Sequence, residues 1–177
     1  MTDAATASEP RAALAARLAK NPDGVLEALA REHGVSTLAA TRLLPPDNAA
    51  FAPGSAFAEV MRDLSSWGEV LFIVHTQNIV LECSGRIPPG EVAHGWFNLH
   101  GDGPIGGHVK AERCVAIGFV QRPFMGRESC SVQFFDGDGE AMFKVFVRRR
   151  PDKTLDPDQV AAFAALRARL GTQPAGE

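Results

Sequence analysis

A chain of 177 residues with 45% hydrophobic and 22% charged content carries enough apolar surface for one compact domain, burying roughly 70% of the surface of its unfolded form. A formal net charge of −3 argues against a nucleic-acid surface dominating the molecule, although a local basic patch stays open. No basic stretch followed by an apolar run opens the chain, and nowhere do about 18 apolar residues run together, so a cytoplasmic protein without membrane contact is expected.

Residues 1–11 are expected to be disordered and residues 12–171 to form one domain, followed by a flexible tail over 172–177. The helical region, 12–66, begins with Ala12 to Lys20 and Asp23 to His33, where Val25, Leu26, Leu29 and Ala30 recur at helical spacing. Gly34 stops the second helix, and Ser36 caps a third that ends before Pro45-Pro46. Gly54 to Trp67 places Phe57, Val60, Met61 and Leu64 on one face.

Residues 67–150 change in texture to short runs of valine, isoleucine and phenylalanine separated by turn residues. About six strands are predicted, at Val70–Thr76, Ile79–Ser84, Gly95–Leu99, Val115–Val120, Ser129–Phe135 and Ala141–Val147. Their short connections suit antiparallel neighbours, since a parallel pair needs a crossover of about a dozen residues. A last helix over 156–170 starts at the Asp156-Pro157 cap, with Val160, Phe163, Leu166 and Leu170 as its buried stripe. The fold class is α+β: N-terminal helices, a mostly antiparallel sheet meander and a C-terminal helix.

Several motifs lead away from catalysis. Val25 to Leu44 has the outline of a helix-turn-helix, but its second helix offers only Arg42 as a cation, with Thr37 and Thr41 as small polar contacts. A packed helical hairpin explains it better, and nucleic acid is not an expected partner. The Gly101 to His108 segment lacks the lysine and hydroxyl of a phosphate loop. Asp136-Gly-Asp-Gly-Glu140 has Ala141 and Val147 where a calcium loop needs glycine and a bidentate glutamate. The three cysteines, Cys83, Cys114 and Cys130, are an odd number without C-x-x-C spacing and read as small apolar strand residues. No catalytic constellation appears, so binding is favoured over chemistry.

Two histidines lie in apolar, strand-like surroundings, His75 and His108. An imidazole against apolar surface can ligate haem iron while the walls receive the porphyrin, although a lone histidine at a strand end is more often an ordinary hydrogen-bonding residue. Phe72, Trp96, Phe97, Phe124 and Met125 are candidate porphyrin walls, although an aromatic in a strand more often faces its own domain's core. Lys110, Arg113 and Arg127 are candidate propionate partners.

The segments Trp67-Gly68, Val74-His75-Thr76, Glu82 to Gly85, His94-Gly-Trp-Phe-Asn-Leu99, Gly107 to Glu112, Phe124-Met-Gly126, Phe134-Phe135 and Met142 to Phe146 resemble the HutX/ChuX family of intracellular haem-utilisation carriers. The resemblance runs in order from about Leu14 to Leu170. It implies a cytosolic homodimer, folded like half of a two-repeat HemS/ChuS-type protein, that holds haem reversibly and delivers it to a haem-accepting or haem-degrading protein. It carries over His75 and His108 as iron ligands and His94 as a weaker pocket residue. Relatives can place tyrosine where Trp96 stands; this chain has no tyrosine, so a tyrosinate ligand is excluded. Two alternatives stay open, a haem-modifying or haem-degrading enzyme and a helix-turn-helix regulator.

Overall fold

The computed structural model describes residues 3–173; residues 1–2 and 174–177, the ends of the two segments expected to be disordered, lie outside it. Three helices open the chain, α1 (Asp3–Lys20), α2 (Leu26–Glu32) and α3 (Thr37–Arg42). Strand β1 (Ala49–Pro53) and a short 3₁₀ turn lead into α4 (Phe57–Leu64). Eight strands follow: β2 (Glu69–His75), β3 (Val80–Arg86), β4 (Gly90–Ala93), β5 (Trp96–Leu99), β6 (Gly107–Val109), β7 (Cys114–Phe124), β8 (Arg127–Asp136) and β9 (Ala141–Phe146). Helix α5 (Pro157–Leu170) closes the fold.

Six strands form one sheet in the order β1-β7-β8-β9-β2-β3, and β4-β5-β6 form a second. Every pairing between them is antiparallel. The local chemistry explains the element ends. The Ser36 hydroxyl accepts from the Ala39 N–H at 3.2 Å, and the Asp156 carboxylate accepts from the N–H groups of Asp158 and Gln159, with proline ready-bent at the next position.

Alternation along the strands gives the large sheet two dressed faces. On one, Leu14, Leu18, Leu26, Leu38 and Leu44 of the helical layer pack on Phe51, Ala116 and Phe135. The backbone is bare at Gly118 because a Cβ there would lie 3.1 Å from the Phe135 ring and 3.4 Å from that of Phe51. On the other face, Phe57 of α4, Phe163 and Leu166 of α5 and Phe97 and Leu99 of the small sheet enclose Phe134 and Phe143. These rings interlock, with Phe134 and Phe143 stacked at 4.3 Å and Phe57 edge-on to Phe134 at 5.2 Å.

The structure departs from the sequence reading at identifiable places. Helix α1 begins at Asp3 rather than Ala12, taking in most of the segment expected to be disordered. Residue 172 is not free either, since Thr172 and Phe51 exchange backbone hydrogen bonds at 2.8 Å in both directions. Strand β1, Ala-Ala-Phe-Ala-Pro, carries little β preference of its own; pairing with residues 116–120 of neighbouring β7 and burial of all but its last residue make it a strand. Strands β4 and β6 each open on glycine and are only 4 and 3 residues long, too short to show alternation. The helix-turn-helix outline is a packed hairpin: Thr37 and Thr41 are buried, Thr41 donating to the Thr37 carbonyl and Thr37 to Glu140.

Candidate ligand-binding site

Strand β2 divides the candidate site. Its Leu71, Ile73 and His75 point to the face of the large sheet that α2 partly covers, while Phe72 and Val74 point to the opposite face, beside the small sheet. A cavity lies against each. That on the His75 side has a volume of about 510 Å³ and is floored by Ile73, Ser131, Gln133, Lys144 and Phe146, with Val25, Glu27, Phe124 and Leu155 among its walls. The one on the other face, about 470 Å³, is lined by Phe72, Val74, Leu81, Cys83, Trp96, His108, Lys110 and Met142. His75 and His108 therefore front different cavities on opposite faces, and one chain does not bring them together.

On the His75 side a buried charge cluster fixes the imidazole. His75 Nδ1 lies 3.3 Å from Glu27 Oε1, and the same carboxylate is paired with the Lys144 ammonium. Glu27 and Lys144 are 5% and 7% exposed, so neither tolerates loss of the other. Burial pushes the Glu27 carboxyl up, but the charge and hydrogen bond of Lys144 more than reverse this and hold it below the ordinary carboxylate value. Burial draws the Lys144 ammonium below its ordinary value, opposed by Glu27, whose one carboxylate faces both Lys144 and His75.

Helix α2 is held over this cavity by a clamp. Arg122 of β7 donates to the carbonyls of Pro22 (2.8 Å) and Gly24 (2.7 Å). Asp23 accepts from the N–H groups of Met125 (2.8 Å) and Gly126 (2.7 Å) in the β7–β8 turn, and the Gly126 bond leads in lowering its pKa. Met125 and Gly126 both have positive φ, 51° and 73°, the pattern of a tight two-residue hairpin turn. Met125 is thus an exposed turn tip rather than a cavity wall.

The other cavity is built on the small sheet. His108 of β6 stands directly opposite Asn98 of β5, with His108 Nδ1 2.7 Å from Asn98 Oδ1. Beside it lies Trp96, its ring centroid 6.2 Å from that of His108, and the Lys110 ammonium sits 4.2 Å above the indole. Lys110 also donates to the Gly95 carbonyl at 3.1 Å. His108 and Trp96 are exposed at the groove's edge, whereas Phe72 is half-buried and stacked on Phe143 at 4.9 Å.

Of the residues the sequence puts forward, His108, Trp96, Lys110 and Phe72 converge on one groove, and His75 and Phe124 on the other cavity. Phe97 does not line either; it is 3% exposed and edge-on to Phe57 at 5.2 Å, because alternation on β5 turns it away from Trp96 and into the core. His94 is likewise a turn residue: His94 and Gly95, with φ of 52° and 75°, form the β4–β5 turn. Arg113 and Arg127 line neither cavity. Sequence reasoning missed Glu27, Lys144, Asn98 and Cys83. Asn98 sat within a motif already noted, but nothing in the order of residues pairs Glu27 with a strand more than a hundred positions away.

Both cavities combine apolar walls with an imidazole, an arrangement suited to a flat, largely apolar ligand whose metal needs an axial donor. Among the described residues no three His, Cys, Asp or Glu side chains gather around one point; a porphyrin brings its own equatorial nitrogens and asks the protein for axial ones only. No helix among the described residues is long and apolar enough to cross a membrane.

Residues 50–166 match the family model described as haem utilisation ChuX/HutX. The chain is 35% identical over 150 residues to the intracellular heme transport protein HutX of Vibrio cholerae, covering 84% of this chain and 78% of that one. It superimposes on the heme binding protein ChuX with a TM-score of 0.82 at 38% identity, covering 88% of this chain and 97% of that one. A more distant likeness, to the heme degrading enzyme ChuS of Escherichia coli O157:H7, has a TM-score of 0.65 at 18% identity, covers 78% of this chain and 41% of that one, and speaks to fold alone. The family match over most of the chain, the identity to HutX and the shared α+β architecture place this protein in the ChuX/HutX haem-utilisation family.

Proposed function

We propose that this protein is an intracellular, cytoplasmic haem carrier that binds haem reversibly and passes it to a haem-accepting or haem-degrading protein. The observation that carries the reading is an exposed imidazole, His108, on the rim of an apolar groove with Trp96 and Phe72 beside it. His75 supplies a second candidate ligand on the other face. Lys110, already at the indole, is the cation best placed for a propionate. The open groove suits a carrier: with a Kd near ~1 μM and association near ~10⁶ M⁻¹s⁻¹, haem would leave in about a second, whereas picomolar binding would hold it for days.

The same reading takes the working unit to be a homodimer. β3 is an edge strand whose Val80 and Leu81, with Ile79 before it, are each more than half exposed, an apolar edge of the kind that proteins normally cover. Carrier and haem-degrading enzyme are distinguished by incubating the haem-loaded protein with a reductant and dioxygen. A carrier leaves the porphyrin intact and yields it to apomyoglobin; loss of the Soret band with release of iron would reverse the assignment.

A further inference from the structure

We propose that Asn98 is a positioning residue that holds His108 in the tautomer protonated on Nδ1, leaving the Nε2 lone pair free for haem iron. This rests on the reading of His108 as a haem ligand. Asn98 Nδ2 lies within hydrogen-bond reach of three backbone carbonyls, those of Glu91 (3.3 Å), Ala93 (3.1 Å) and Trp96 (3.2 Å).

Carbonyl oxygens only accept, so the atom facing three of them must be the amide nitrogen; the reverse orientation would set four oxygens against one another with no proton between them. The amide oxygen is therefore the atom that meets His108 Nδ1 at 2.7 Å. That oxygen can only accept, so Nδ1 must donate. A neutral imidazole has one N–H, and with it spent on Nδ1 the lone pair stands on Nε2.

The grip is rigid for a reason that lies in the fold. Asn98 is 9% exposed and is tied to β4 through Glu91 and Ala93 and to its own strand through Trp96, while His108 faces it across the β5–β6 ladder. Three strands thus fix a tautomer that solvent alone would leave mixed. An outer partner of this kind typically changes metal affinity 10- to 100-fold.

Two measurements test it. Long-range ¹H–¹⁵N NMR of the haem-free native protein, above the imidazole's titration, reports which ring nitrogen of His108 holds the proton, with His108→Leu identifying the signals. Nδ1–H is expected; Nε2–H in the native protein overturns the proposal without recourse to any variant. Hemin titration in a His75→Leu background then isolates the His108 side, where Asn98→Leu is expected to weaken binding about 10- to 100-fold, and Asn98→Ala to do the same should leucine disturb the sheet. Unchanged hemin affinity in both also overturns it. If hemin leaves the native His108 signals unmoved while they show Nδ1–H, it is the ligand reading that fails, so the two failures are told apart.

Discussion

At the level of single side chains, the buried Glu27–Lys144 pair is the most exacting feature. Replacing Lys144 with methionine leaves a carboxylate buried beside a half-buried imidazole, and the expected loss in folding stability is about 3–5 kcal/mol by chemical denaturation. Changing both partners to apolar residues of similar volume should recover most of it. The two aromatics of β5 separate in the same way. Phe97→Ala should cost about 3–5 kcal/mol of stability through its core contacts with Phe57, whereas Trp96→Ala, exposed at the groove, should leave stability nearly unchanged and weaken hemin binding. The sequence shows Trp96 and Phe97 side by side in one motif; only the strand's alternation, and which face α4 covers, tells wall from core.

Among elements, α2 is held on the sheet by the Asp23 and Arg122 clamp rather than by length, since it has only 7 residues. The Gly126 N–H, with help from Met125, Gly24 and Arg122, lowers the Asp23 pKa beneath its ordinary 3.8. A carboxylate depressed in the folded state adds stability that is present above the unfolded value and is lost as pH falls through the folded one. Asp23→Asn should therefore reduce stability near neutral pH and flatten its fall below about pH 4, as read by denaturation across an acid series. The long strands, the four helical stretches and the α5 cap were legible in the residue pattern because each carries its own periodicity or punctuation. β1, β4 and β6 were not, because each becomes a strand through the partner it meets. His94 and Met125 likewise resemble pocket residues by chemistry; their left-handed backbone, which places them at turn tips, is a tertiary outcome that non-glycine residues rarely signal.

For the whole molecule, the central fact is that His75 and His108 face opposite sides of one sheet, so the chain offers two separate apolar cavities rather than one enclosed bis-histidine pocket. That division was invisible in sequence, where His75 falls in a predicted strand and His108 only in strand-like surroundings. The exposed edge of β3 leads to a further expectation: light scattering should give a dimer, and Val80→Lys combined with Leu81→Glu should give a folded monomer. A native protein that is monomeric throughout would remove the homodimer from this account.

The claim on which all of this turns is that these imidazoles hold haem iron, and titrating haem-free protein with hemin while following the Soret band tests it most directly. Native protein should show a saturable, shifted band; His75→Leu and His108→Leu should each retain part of that response, and the double variant should lose it while keeping its fold by circular dichroism. A double variant that matches the native protein in spectrum and affinity would contradict the account.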